Sequence, residues 1–390
     1  METHPYGKWS RGIHERMSSR RVPLSCSVEV TRRCPLSCRH CYNNLPLGDR
    51  KAAHDEMSCE EHCRILDQLA EAGCLWLLYT GGEPFARGDF PDIYRYAKGK
   101  GMLITLFTNG VLISERIADH LAAWPPFSIE ITLYGRTREV HEQVTRVPGS
   151  YDGCMRGITL LMEQGLPLRL KTVALTINRH EIGEMQRFAE EDLGVEFKYD
   201  PMINPRIDCS RAPLALRLSP AEIVALDLRD PQRAMEWREF AGRCGTPAGT
   251  PSTGHDLYLC GGGVNSCAVD PYGMLHLCVL SSAAGYDLRK GSLCEGWERF
   301  LLDIRNTRAS RHTKCLTCGL RAMCGMCPAN GELECTDPES PVDFLCRVAH
   351  LRAYALGIPA PPHGDCEYCP GGKGYEEMMR TAESLAKGCC

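Results

Sequence analysis

The stretch Cys34-Pro35-Leu36-Ser37-Cys38-Arg39-His40-Cys41-Tyr42 follows directly on an apolar, β-rich run, Cys26–Thr31. Three thiols at CX3CX2C spacing on one tight loop can hold three irons of a [4Fe–4S] cubane and leave the fourth iron without a protein ligand. A tetrahedral zinc site closes with a fourth Cys or His instead, and His40, between two of the cysteines, competes for that place.

Outward from this loop, further apolar runs recur at Cys74–Tyr79, Met102–Phe107, Phe127–Leu133, Leu168–Leu175 and Gly194–Tyr199, separated by helical patterns. Ser58-x-x-Glu61 is a capping box that opens a helix with Ile65, Leu66 and Leu69 on one face, and Gly73 ends it. Asn178-x-x-Glu181 reads as a second helix start. Six strands alternating with helices predict a parallel sheet with right-handed crossovers, and an open, partial (β/α)6 TIM-like barrel fits. Glycines follow the second and third strands, in Thr80-Gly81-Gly82-Glu83-Pro84 and Thr108-Asn109-Gly110. At the C-terminal ends of strands, where α/β sheets place their sites, glycines let a ligand approach the backbone.

The alternation fails after about Pro205. Ser219-Pro220-Ala221-Glu222 starts another helix, but residues 244–285 and 310–346 are rich in Gly, Ser, Pro and Cys. Such stretches call for a bound metal as staple. The predicted divisions are an N-terminal extension (1–24), a barrel (25–205), a cysteine-rich domain (206–350) and a Cys-containing tail (351–390) that ends in a short amphipathic helix.

The chain has 390 residues, a net charge of −4 and 24 cysteines. The near-neutral balance argues against a general nucleic-acid binder, and no apolar run is long enough for a membrane span. Without a secretory signal at the N-terminus the expected compartment is the cytoplasm, where clustered thiols mean metal sites rather than disulfides. The 13 histidines show no HxxxH or HExxH pattern, so no separate zinc catalytic site is expected.

The cysteine loop, the Gly-Gly-Glu-Pro after the second strand and their order resemble the radical SAM superfamily. That resemblance implies a cluster on Cys34, Cys38 and Cys41 whose open iron binds S-adenosylmethionine (SAM). It places Tyr42 beside SAM, Gly81, Gly82 and Glu83 at its amino group, and Asn109 and Thr132 near its polar groups. Arg156 and Lys171 become candidates to pair with its carboxylate, with a surface or structural cation as the preferred reading of each. The downstream code, Cys260-x6-Cys267-x10-Cys278 with Gly273, then Cys315-x2-Cys318-x5-Cys324-x2-Cys327 and Cys346, resembles the SPASM domain of short strands, helices and loops. By that resemblance Cys260, Cys267, Cys278 and Cys327 hold one auxiliary [4Fe–4S] cluster, and Cys315, Cys318, Cys324 and Cys346 a second. The Cys324-to-Cys327 gap is one residue shorter than usual, with Cys335 as the substitute for Cys327. Three clusters and SAM are therefore the expected cofactors.

Family likeness points to an oxidative peptide maturase forming a thioether or carbon–carbon crosslink, because the segment Ile129–Gly135 resembles such enzymes, with Leu-Tyr-Gly where many relatives carry Leu-Asp-Gly. A peptide or protein substrate, a separate leader-binding protein and a low-potential donor such as flavodoxin or ferredoxin are the implied partners; no nucleic acid and no membrane are. The alternatives are a SPASM oxidoreductase on a small molecule or tetrapyrrole, a sulfatase-maturase-like enzyme, and a non-catalytic electron carrier. Val279 after Cys278, where sulfatase maturases place an Asp base, counts against the second of these. Asp270 is the acidic residue singled out as a base, with turn capping as its plainer explanation. Cys59, Cys63, Cys74 and Cys154 read as core hydrophobes. Cys366-x2-Cys369 and Cys389-Cys390 read as tail thiols able to capture metal or exchange sulfur, with no role at all as the preferred reading.

Overall fold

The computed structural model describes residues 6–244, 256–281 and 284–388. Six expected strands form: β1 (Ser25–Thr31), β2 (Trp76–Gly81), β3 (Leu103–Thr108), β4 (Ser128–Thr132), β5 (Leu168–Val173) and β6 (Phe197–Asp200). They pair in sequence order and every pair is parallel. Helix α1 (Tyr6–Ser18) precedes β1, and α2 (Cys59–Glu71), α3 (Phe90–Gly99), α4 (Glu115–Ala123), α5 (Arg138–Thr145), α6 (Ser150–Glu163) and α7 (Ile182–Arg187) fill the crossovers. The Ser58 hydroxyl accepts from the Glu61 N–H while the Glu61 carboxylate accepts from the Ser58 N–H, closing the capping box. Behind it Ile65, Leu66 and Leu69 are buried as the spacing predicts, joined by His62. Each fully buried aliphatic side chain of this kind contributes about 1.5–3 kcal/mol.

The second helix start works differently. Asn178 spends its side chain on backbone groups, accepting from the Leu175 N–H at 2.8 Å and donating to the Tyr134 and Val173 carbonyls. Glu181 accepts instead from Arg136 N–H, Thr137 N–H and Thr137 Oγ1–H, at the start of α5. The pair resembles a local cap but crosslinks two loops.

The sheet also grows on its other edge. Strand β7 (Ser266–Val269) lies parallel to β1, and β8 (Met274–His276) and β9 (Tyr286–Asp287) follow antiparallel, giving the order β9-β8-β7-β1-β2-β3-β4-β5-β6. These strands of two to four residues are too short to show a period, so their segment reads as loop in the sequence. The described residues divide into two compact units, and the division departs from the predicted boundaries: Cys260–Arg305 belongs with Met1–Ile207 and Ala212–Leu216.

The second unit draws on Asp208–Arg211, Arg217–Leu259 and Asn306–Cys390. Its main helices are α8 (Pro220–Arg229), α9 (Pro231–Cys244), α10 (Asp343–Ala355) and α11 (Tyr375–Lys387). Ser219 and Glu222 form the expected capping box with Pro220 in the first turn. Val224, Leu351, Met378 and Ala382 pack as one core, and Leu320, Met323, Ala349 and Ala353 as another. The buried Asp227 ties the helices together, accepting from Arg233 at 2.6 Å and from Arg352 at 2.8 Å. Among the described residues no helix is long and apolar enough to cross a membrane.

Candidate functional site

The first unit opens a cavity of about 490 Å³ at the C-terminal ends of its parallel strands. Cys34, Cys38 and Cys41 line it, together with Tyr42, Gly81, Gly82, Asn109, Thr132 and Lys171. The register of β1 against β2 shifts between Glu29 and Thr31, and this bulge aims the chain into the cysteine loop. Gly81 has φ +122°, and a Cβ there would strike the Thr31 carbonyl; one at Gly82 would strike the carbonyls of Arg32 and Arg33. The two glycines are therefore already required by the stem of the cysteine loop, which hydrogen-bonds to them through Gly82 N–H to Thr31 O at 2.7 Å.

Several side chains that the motifs do not reveal hold this loop. Tyr42 donates its hydroxyl to Glu29 Oε1 at 2.8 Å, and Asn43 donates to the same oxygen at 2.6 Å. Arg206 reaches from beyond β6 to the Cys41 carbonyl (3.1 Å), Asn44 Oδ1 (2.8 Å) and the Asn44 carbonyl (3.0 Å). Arg33 makes a two-point pair with Glu56 at 3.0 and 2.9 Å. Only the aromatic at 42 was legible in the sequence, because the others act from remote elements.

Burial pushes the three thiols up, Cys34 to about 12 and Cys38 and Cys41 above their ordinary range. Buried thiols become thiolates only when a cation offsets the burial cost. The donor set thus fits a positively charged iron centre. The three do not converge within the reach of a single ion, as ligands to separate irons need not. His40 is fully buried, lowered to about 4 by that burial, and packs edge-on against Tyr134 with ring centres 5.0 Å apart. Cys38 and Tyr134 share a side-chain hydrogen bond.

Glu83 is completely buried and does not line the cavity. Its carboxylate accepts from Thr108 Oγ1–H at 2.7 Å and the Asn109 N–H at 2.8 Å, and burial raises it to about 7. Lys171 lines the cavity and pairs with Glu130 Oε2 at 3.3 Å; burial lowers it to about 7, against the pull of Glu130. Lys198 pairs with the other Glu130 oxygen at 2.6 Å. Arg156 is exposed on α6, directed at the Val111 carbonyl, and is not among the cavity residues. Asp270 is also elsewhere, its Oδ1 accepting from Tyr272 and Met274 N–H at 2.9 Å across the turn before β8. The turn-capping explanation is the one its geometry supports.

The remaining cysteines fall into distinct settings. Cys260 is exposed, and a Cβ at Gly262 would touch both its sulfur and the Leu277 carbonyl, so its thiol lies beside the chain leading into Cys278. Cys267 is instead buried in β7, opposite Cys26 in register and hydrogen-bonded to its thiol, both cysteines being free. Cys327, expected to share their cluster, belongs to the second unit, at the start of the helix Pro328–Cys335. Cys315, Cys318, Cys324 and Cys346 do come together, around one small cavity with His350 and His363. Of the four cysteines read as core hydrophobes, Cys74 and Cys154 are buried, whereas Cys59 and Cys63 are half-exposed.

The tail reading changes most. Cys366 and Cys369 are buried, and with His350 and His363 they form a group whose ligand atoms all lie within 4.8 Å of one another. Nothing in the sequence spacing joins His350 to the other three, and the HxxxH and HExxH patterns of catalytic zinc sites do not describe this group. Cys389 and Cys390 lie outside the described residues.

Residues 28–189 match the model of the Radical SAM superfamily. The PqqA peptide cyclase of Granulibacter bethesdensis is 32% identical over 174 residues, a match that spans 45% of each chain. The AdoMet-dependent heme synthase of Oleidesulfovibrio alaskensis is 26% identical over 78% of this chain and 82% of its own. Among solved structures, Streptococcus suis SuiB bound to its precursor peptide SuiA superposes with a TM-score of 0.63 at 18% identity, covering 89% of this chain and 82% of that one. The same architecture thus recurs at an identity where only the fold is shared. The matched segment runs from within β1 to the end of α7 and holds the three-cysteine loop and the strand-end glycines together; it is over this segment that the chain matches the Radical SAM superfamily, and a cysteine-rich region lies C-terminal to it.

Proposed function

We propose that the protein is a radical SAM oxidoreductase that modifies a peptide, with crosslink formation, thioether or carbon–carbon, as the outcome. The observation that carries this reading is the position of Cys34, Cys38 and Cys41 on the wall of the 490 Å³ cavity, beside the strand-end glycines. A [4Fe–4S] cluster with SAM on its open iron supplies one-electron cleavage of SAM and a 5′-deoxyadenosyl radical that removes a substrate hydrogen. The chain's own residues position and shield. The three cysteines ligate the cluster, and Tyr42, fixed through its hydroxyl to Glu29, offers its ring beside SAM. Gly81, Gly82 and Asn109 present backbone and amide groups to the SAM amino acid moiety, while the buried Glu83 holds the Asn109 backbone in place. Thr132 and Lys171, neighbours across β4 and β5, supply a hydroxyl and an amine to its polar groups.

Cys315, Cys318, Cys324 and Cys346 are the proposed ligands of one auxiliary cluster, and Cys260, Cys267 and Cys278 are proposed ligands of the other. Auxiliary clusters offer a path for the second electron of a net two-electron oxidation. Cys267 is the weakest member, since its thiol is buried against Cys26. A low-potential donor such as flavodoxin or ferredoxin and a separate leader-binding protein complete the scheme, in the cytoplasm. The relatives favour a peptide through the PqqA cyclase, and a second reading, a tetrapyrrole substrate, through the heme synthase, whose match covers more of this chain.

The test has two stages. The anaerobically reconstituted protein with dithionite and SAM should yield 5′-deoxyadenosine; none would sink both readings. Mass spectrometry after incubation with short Cys-rich peptides encoded beside its gene should then show a loss of 2 Da per crosslink. Turnover of an iron porphyrin with unchanged peptides would select the second reading.

A further inference from the structure

The segment between α10 and α11, Gly357 to Gly374, is rich in Gly and Pro and short of apolar side chains. Hydrophobic burial alone does not order such a stretch. Yet His363, Cys366 and Cys369 within it are buried, at 7%, 5% and 3% exposure, against His350 of α10 at 1%. Two consecutive turns, Cys366 N–H to His363 O at 3.3 Å and Cys369 N–H to Cys366 O at 3.4 Å, set the three side chains on one side of the segment.

The geometry is that of a single four-coordinate ion. Cys366 Sγ lies 3.5 Å and Cys369 Sγ 3.6 Å from His350 Nε2, and Cys369 Sγ lies 3.3 Å from His363 Nδ1. Zinc bonds of about 2.3 Å to sulfur and about 2.0–2.1 Å to nitrogen, set tetrahedrally, place sulfur and nitrogen about 3.5 Å apart. A two-iron centre with cysteines on one iron and histidines on the other would hold the sulfurs and nitrogens much farther apart. The outer shell agrees: His350 Nδ1 meets the Cys346 carbonyl at 2.8 Å, the second contact that fixes a metal-binding imidazole. Two thiolates and two imidazoles in a closed, buried set are the ligands of structural zinc.

We propose that His350, His363, Cys366 and Cys369 form a mononuclear zinc site that pins the segment 357–374 against α10, distinct from every iron–sulfur cluster in the chain. The site is independent of the proposed peptide chemistry, and it would stand if the substrate were a tetrapyrrole. Cys346, a proposed cluster ligand, is a neighbour through its carbonyl and thiol, so the zinc site would also brace one wall of that cluster.

The experiment is metal analysis of the full chain purified without oxygen from medium containing both iron and zinc. Wild type should carry about one zinc per chain in addition to its iron. The Cys366→Ser/Cys369→Ser double variant should lose that zinc and keep its iron, and trypsin should then cut within 357–374. His363→Cys keeps four ligands and should retain zinc, which guards against a double variant that fails to fold. Protein grown with cobalt should show the visible absorption of tetrahedral thiolate-bound cobalt, lost in the double variant. Zinc-free wild type, zinc retained by a folded double variant, or loss of about four irons per chain in that variant would each overturn the proposal, the last by making these cysteines cluster ligands.

Discussion

Glu83 and Asn109 are joined by a hydrogen bond of 2.8 Å from the Asn109 N–H to Glu83 Oε2, which ties the tip of β2 to the tip of β3. The other carboxylate oxygen takes the hydroxyl of Thr108 at 2.7 Å and, more loosely, the Phe85 N–H at 3.4 Å, so one buried side chain serves three donors. A residue of the Gly-Gly-Glu-Pro motif thereby shapes the cavity from behind, without lining it.

Removing that carboxylate should cost stability before it costs chemistry. Glu83→Ala leaves the Thr108 hydroxyl and the Asn109 N–H without their partner, at about 1–3 kcal/mol for each buried group. Glu83→Gln retains one acceptor and should fall between Ala and wild type. Urea unfolding of the three proteins reads the order directly, and superimposable curves would contradict the strand-tying role.

The cysteine loop makes a stoichiometric prediction. After anaerobic reconstitution, three cubanes give about 12 iron and about 12 sulfide per chain, and the triple variant Cys34→Ala/Cys38→Ala/Cys41→Ala should fall to about 8 of each. All 5′-deoxyadenosine formation should disappear with it. Zinc in place of the missing iron in wild type would refute the cluster assignment.

His62 should make the fold acid-sensitive. Burial first, and then the Arg87 guanidinium 3.4 Å from its Nε2, lowers the imidazole to about 3, against an ordinary value of about 6.5. Asp89 pulls the other way and Arg289 adds to the lowering. Because the native pKa is the lower one, the unfolded chain binds the extra proton between those values, and stability falls as pH drops from about 6.5 toward 3. The slope reaches at most about 1.4 kcal/mol per pH unit from this residue. His62→Gln, which can still accept from Arg87, should flatten the dependence of the unfolding midpoint between pH 6.5 and 4.5. Parallel profiles for the two proteins would rule His62 out as the cause.

Loss of the second auxiliary cluster should uncouple the two halves of the reaction. Cys315→Ala should still produce 5′-deoxyadenosine from SAM and dithionite while forming no oxidised product. A retained thermal transition establishes that the unit is folded. Normal product from the folded variant would take this cluster off the electron path.

What the sequence by itself determined is what acts over a few residues. The CX3CX2C loop, the Ser58–Glu61 and Ser219–Glu222 capping boxes and the six apolar strands are all legible, because their ligands, caps and periods lie within one loop, one helical turn or one strand. The short strands β7 to β9 were not legible, since two to four residues carry no period and it is the free edge of β1 that recruits β7. Asn178 and Glu181 carry the spacing of a cap but bond to Tyr134, Val173, Arg136 and Thr137, which only packing brings near. Arg206 holds the Cys41 carbonyl across 165 positions of sequence. His350 is 16 residues from Cys366 and lies on a helix face, while its partners occupy a loop. Local hydrogen bonds and ligand spacings are written along the chain; a site assembled from a helix and a distant loop exists only once apolar burial has fixed the distance between them.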